Sequence, residues 1–509
     1  MEYINGIIVA AYLAAMLLFG WWGKSRTKNS SDYLVAGRRL GPFLYTGTMA
    51  AVVLGGASTV GGVGLGYKWG ISGMWLVVAI GAGVILLSLC FAPTLQRLKV
   101  FTVSQMLTLR YGSKSATNTS GMVMLAYTLM LCATSTSAYA TIFVVLFDWE
   151  KWHAIAIGGA IVVVYSTIGG MWSITLADQV QFIIKTIGIF LLMLPFALNA
   201  AGGMAGIRER VDAEFFSFTG IGLQSIITYF VVYTLGLLIG QDIWQRVFTA
   251  KTPKVARWGG TTAGIYCIIY GAAGAIIGMA ARVALPDIAG ADSNQDVVYA
   301  EVATQLLPVA VGGLVMAAAV AAMMSTASGA LIAAATVARA DVTPFVASWF
   351  GKTVQANSDE NPEHDVRANR IWVLLLGIVT VSLAILVDDV VAALTIAYDI
   401  LVGGLLVAII GGLIWKRGNG IGAAVSMAAG TVVTLGTMIV LEIQAEEKFA
   451  GVYANEPIYY GLIASALTFV IVSLLTRPTS AQVIEHWNQR VAGKIQDAPA
   501  STTAQESAL

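Results

Sequence analysis

Charge is what this chain has least of. Of its 509 residues, 29 are Lys or Arg and 28 are Asp or Glu, together 11%, where soluble domains carry about a quarter. That shortage excludes an ordinary soluble globular protein, and it leaves no basic face for nucleic acid. Cysteine is scarce too. Cys90, Cys132 and Cys267 all fall inside apolar runs, which argues against a disulfide framework and a Cys-rich metal centre. The three histidines, His153, His364 and His486, stand at segment ends or in loops, with no pair at ligand spacing. The apolar segments hold no cluster of His, Asp and Glu and no activated Ser or Cys, so an enzyme is not expected and neither is a cofactor. A channel is disfavoured by the lack of a repeated selectivity loop, and a membrane-embedded sensor by the lack of a soluble signalling domain after the last apolar run.

What is abundant is apolar: 57% of residues are hydrophobic, with 54 glycines. This is the composition of an all-α polytopic membrane protein of a cell membrane, with the lipid bilayer as its surroundings. Runs long enough to cross a bilayer, about 20 residues each, occur near 3–23, 43–66, 73–95, 117–147, 154–172, 178–200, 221–245, 258–283, 306–337, 370–387, 390–415, 419–442 and 458–476. Thirteen spans are expected. The first has Glu2 before it and Lys24, Arg26 and Lys28 after it, so it lacks the basic start of a signal peptide and is expected to stay as a helix.

The basic residues test the count. With the N-terminus outside, Lys68, Lys151, Arg208, Arg210, Arg282 and Lys448 face outward and Lys185 falls inside a span. The other 22 of the 29 then face the cytoplasm, which is the bias the positive-inside rule demands. One missed span midway would erase it. The C-terminus is therefore expected inside. The tail after Arg477 ends in DAPASTTAQESAL and is expected to be disordered; the loop Gly351–Asp365 is polar and cytoplasmic, and no separate soluble domain is long enough to matter.

Two segments break the greasy pattern. TMAAVVLGGASTVGGVGLGY places Gly55 and Gly56 side by side at mid-depth. A double glycine weakens a helix there, and irregular backbone at that depth survives where it lines a cavity. Unwinding frees main-chain carbonyls, which are hard neutral ligands for a small cation. The second segment, AAMMSTASGALIAAATVARAD (321–341), puts Ala322, Ser325 and Thr326 on one helical face. Hydroxyls and carbonyls together make an oxygen cage without net charge. It suits a monovalent cation, whereas a divalent ion wants more carboxylate. Alone, such hydroxyls more often bond back to their own helix.

At this point the chain resembles the sodium:solute symporter family, the group of the sodium/proline, sodium/glucose and choline transporters. The resemblance rests on SSDYLVAGRRLGP (30–42), GGMWSITLADQVQ (169–181), GQDIWQRVFTAKTPKVARWGG (240–260) and the serine–threonine helix. It implies a LeuT-type fold of five helices followed by five inverted ones. On this chain that gives an extra N-terminal helix and basic loop over 1–41, repeats over 42–200 and 201–415, two further helices over 416–476 and a cytoplasmic tail over 477–509. It implies sodium as the coupling ion, held by the carbonyls of Ala51, Leu54 and Ala322 and the hydroxyls of Ser325 and Thr326, with Asp178 on the cation path. The solute is expected against Gly55 and Gly56, with Ser58 and Tyr233 at positions that contact solute in sugar-transporting relatives. The partners so implied are sodium and a small organic solute, with no obligate protein partner.

Lys185 and Asp399 carry charge that the resemblance does not ask for. An ion at mid-membrane costs at least ~2.5–3.5 kcal/mol, so each needs a partner or a task. They either pair for structure or hold a charged solute. The latter shifts the expected solute from neutral sugars toward amino acids, small carboxylates or amines. A lysine at this depth also keeps open a proton-coupled carrier, in which the ammonium stands where the cation would.

Overall fold

The computed structural model describes residues 2–288, 297–352, 354 and 362–494. Among them regular structure is helical throughout, apart from a single backbone bridge between Leu40 and Ala250. A bilayer allows this, because a helix satisfies its own backbone donors and acceptors. Nine helices frame the interior: α1 (Glu2–Arg26), α2 (Pro42–Val53), α3 (Gly62–Trp69), α4 (Lys114–Phe147), α5 (Lys151–Thr186), α6 (Gln241–Thr249), α7 (Pro253–Ala284), α8 (Val309–Val337) and α9 (Val390–Ile414).

Ten helices among the described residues are long and apolar enough to cross a membrane, or eleven if the bent pair Leu223–Leu237 and Gln241–Thr249 is one span. Thirteen were expected. The difference arises where the chain runs on. Ala57–Leu98 is one run of 42 residues and Lys151–Ala200 one of 50, each covering ground the hydropathy pattern divides. Both contain a glycine with positive φ, Gly70 at 62° and Gly170 at 59°, a conformation that glycine enters without a Cβ penalty.

Burial sorts the helices. From Val315 to Val337 every residue of α8 is buried, as expected of a helix apolar on all sides and enclosed by neighbours; α4, α5 and α1 pack around it. Helices Pro362–Ala384 and Gly420–Gln444 instead expose large apolar side chains, among them Ile371, Leu374, Ile378, Val432 and Ile443. In water such a surface would aggregate; against lipid it is the expected outer face.

One end of the bundle is sealed. Leu40 pairs its backbone with Thr249 and Lys251 at 3.0 and 2.9 Å, and Arg38 donates to the Val100 carbonyl at 2.8 Å. The tail departs from expectation in part. Ala481–Val491 forms a helix capped by the Ser480 hydroxyl, with Trp487 buried. DAPASTTAQESAL and most of the 351–365 loop lie outside the described residues.

Candidate ion and solute site

The site begins where α2 stops. Leu54 leaves the helical region (φ −92°, ψ 75°) and a wide turn over Ala57–Gly61 leads into α3. The two glycines make this break possible by letting it pack tightly. A Cβ on Gly55 would lie 2.6 Å from Thr326 Oγ1, and one on Gly56 only 2.4 Å from the Ala138 Cβ. Thr326 thus abuts the break, and its hydroxyl donates to the Val52 carbonyl at 2.6 Å. Ser325, one residue earlier on α8, donates to Asp178 Oδ1 at 2.6 Å. Ala322 is one turn earlier on the same face of that helix.

Asp178 is a buried junction of four helices. Besides Ser325 of α8 it accepts from the Thr48 hydroxyl of α2 and from Arg246 Nη2 of α6 at 3.2 Å. Both members of the Asp178–Arg246 ion pair are 0% exposed. The count of basic residues had placed Arg246 in a cytoplasmic segment. It is instead the counter-charge of Asp178, and its Nη1 also contacts Met171 Sδ at 3.1 Å.

Two turns further along α5, Lys185 is fully buried. Its Nζ donates to the carbonyls of Ala50 and Ala51 at 3.0 and 3.2 Å. Lys185 and Asp399 are therefore not partners: the lysine meets α2, while Asp399 faces a cavity elsewhere.

One cavity lies at the break and a second lies further along the bundle. The inner one, 20 Å³, is walled by Gly55, Gly56, Ser58, Thr134, Ser135, Thr326, Tyr398 and Asp242 among others. The outer one, 710 Å³, is lined by Tyr229, Tyr233, Thr395 and Asp399, and by Lys68 and Arg282. Tyr398 stands between them, its ring 5.2 Å from that of Tyr233 and 5.6 Å from that of Tyr127. The residues expected around one solute are thus divided. Gly55, Gly56 and Ser58 line the inner cavity, Tyr233 and Asp399 the outer, and Lys185 neither. Asp399 is buried, and its Oδ1 has no hydrogen-bond partner among the described residues.

Sequence reasoning passed over Asp242. It is 2% exposed, accepts from the Tyr127 hydroxyl at 2.9 Å, and is the one charged residue among those described in the inner cavity wall. The available signal was its spacing from Arg246. Four residues apart on a helix, the two share a face, although the apolar run near 221–245 ends between them.

A bundle with an apolar outer belt, a helix broken at mid-length beside paired hydroxyls, an open vestibule at one end and a seal at the other is the architecture of a multi-pass membrane transporter. Residues 33–430 match the Sodium:solute symporter family, and the chain belongs to it. It is 25% identical over 491 residues to the osmoregulated proline transporter OpuE of Bacillus subtilis (strain 168), covering 93% of this chain and 96% of that one. To the sodium/proline symporter of Staphylococcus aureus (strain JH9) it is 23% identical over 499 residues, 94% of each chain. Among solved structures it is similar to a Na+-coupled sialic acid symporter in a substrate-bound outward-open state. The TM-score is 0.78 at 18% identity, covering 94% of this chain and 98% of that one; this likeness speaks to the fold.

Proposed function

We propose that the chain imports a small solute bearing an amine, an amino acid first among them, together with sodium. One observation carries the solute class: Asp242 is the single charged side chain described in the inner cavity wall, and a buried carboxylate is stabilised by a cationic partner. A neutral sugar would bring it no counter-charge inside the cavity. The proline-transporting relatives support the same class. In this reading the amine first meets Asp399 in the vestibule, passes Tyr233 and Tyr398, and settles beside Asp242, Gly55, Gly56 and Ser58 as the inner cavity opens.

For sodium, the carbonyls of Ala51, Leu54 and Ala322 with the hydroxyls of Ser325 and Thr326 offer oxygen and no thiolate. Asp178 orients Ser325, its own charge balanced by Arg246. A cage without net charge passes on the ion's full charge, so uptake gains ~2.3 kcal/mol per 100 mV. Dividing the two long runs at Gly70 and Gly170, joining Ala57–Trp69 to Pro42–Val53 as one broken span, and counting the bent pair gives thirteen spans among the described residues. That number, with the N-terminus outside, the C-terminus inside and repeats over 42–200 and 201–415, is the organisation we assign.

Purified protein in liposomes tests this. An inward sodium gradient should drive uptake of a labelled amino acid, and an inside-negative potential should increase it. Amines and amino acids should compete, while simple carboxylates and sugars should not. Uptake driven equally by a proton gradient without sodium would replace this reading with the proton-coupled one.

A further inference from the structure

The last four carbonyls of a helix have no partner within it. In α2 those belong to Ala50, Ala51, Val52 and Val53, and the structure accounts for all four. Ser58 Oγ reaches Val53 O at 3.5 Å, Thr326 Oγ1 reaches Val52 O at 2.6 Å, and Lys185 Nζ takes both Ala51 O and Ala50 O. Lys185 does at this helix end what a bound cation would do.

Its situation is unusual for a buried ammonium, which ordinarily pairs with a carboxylate. Within its electrostatic reach are Asp178 on its own helix and Cys267 on α7. Asp178 is already bonded by Thr48, Ser325 and Arg246. The facing stretches of α2 (47–53) and α8 (318–326) carry no charged side chain. We propose that Lys185 is a built-in competitor for the coupling ion: in the ion-free carrier its ammonium holds the Ala51 carbonyl, and it moves off that oxygen when sodium binds. The proposal rests on the sodium site proposed above, through Ala51. Two unit charges on one carbonyl oxygen, shielded from water, repel strongly, so the oxygen serves one at a time. The carrier then keeps a positive charge at the break whether or not sodium is present, and the break does not collapse between cycles.

Sodium binding read as thermal stabilisation of the purified full-length protein decides the matter, with N-methylglucamine chloride keeping ionic strength constant. Lys185→Met should melt lower than wild type without sodium, because two carbonyls lose their donor. Its half-stabilising sodium concentration should fall by at least about tenfold. Lys185→Gln serves as the second variant should Met not fold, with the same expected gain, and Lys185→Arg, which keeps the charge, should show none. An unchanged or higher sodium requirement in the folded neutral variants overturns the proposal and makes Lys185 scaffolding; a gain in Lys185→Arg overturns it as well. If wild type itself does not respond to sodium at any concentration, the sodium site falls, and this inference with it.

Discussion

Each of three deep aspartates meets the cost of burial differently. Asp178 has an arginine and two hydroxyls, Asp242 a tyrosine hydroxyl with the Arg246 charge one turn along the same helix, and Asp399 a carboxylate oxygen with no partner among the described residues. The less a carboxylate is satisfied within the protein, the more it gains from a cationic solute. Asp242→Asn keeps the shape and removes the charge. Its half-saturating solute concentration should rise at least tenfold, about 1.4 kcal/mol, while sodium-induced stabilisation stays as in wild type; uptake and melting curves read the two separately. Asp178→Asn should behave differently, because it leaves Arg246 buried and unpaired. Breaking such a pair costs about 3–5 kcal/mol, so a large fall in melting temperature should accompany any loss of coupling. Replacing Ser325 and Thr326 together by Ala should raise the sodium needed for half-maximal uptake, and unchanged sodium dependence would remove both from the ion site.

At the scale of elements, the sequence disclosed what depends on local pattern. Apolar runs gave the helices, and Gly55–Gly56 gave the break. What it hid depends on which surfaces meet. Asp242 and Arg246 sit in a helix whose nine residues are all buried, yet the apolar run near 221–245 ends between them and leaves Arg246 among the basic residues counted as cytoplasmic. Lys185 was visible as a costly ion, but the α2 carbonyls it bonds lie about 135 residues away in sequence, and no period links them. The turn at Gly70 falls in the gap between the runs ending near 66 and starting near 73, whereas the kink at Gly170 lies inside the run expected over 154–172. Gly170 is testable as such. With φ 59° and ψ −147°, and with Tyr33 O 2.6 Å from where a Cβ would stand, Gly170→Ala should cost at least ~1–3 kcal/mol. A melting temperature equal to wild type would show that the kink is not required.

At the scale of the molecule, a carrier must open each end in turn, and this structure shows the two ends unequal. The vestibule of 710 Å³ is open beside Tyr233 and Asp399. The opposite end is closed by backbone pairing of Leu40 with Thr249 and Lys251 and by Arg38 lying over Phe101 and Phe248. Release to that side requires the segment before α2 to part from the end of α6, the helix that carries both Asp242 and Arg246. A solute held at Asp242 and an ion held at the α2 break therefore both bear on elements that join at this seal. Leu40 and Ala250 are bridge partners, at the roughly 5 Å strand spacing that a disulfide can span. With Cys90, which is exposed, changed to Ser, the pair Leu40→Cys and Ala250→Cys should cross-link on oxidation. The oxidised carrier should still bind solute from the vestibule side, read as stabilisation by the solute, but should not deliver it, and reduction should restore uptake. Normal uptake through the intact cross-link would show that the solute leaves without parting this seal, and the path would then have to be sought elsewhere in the bundle.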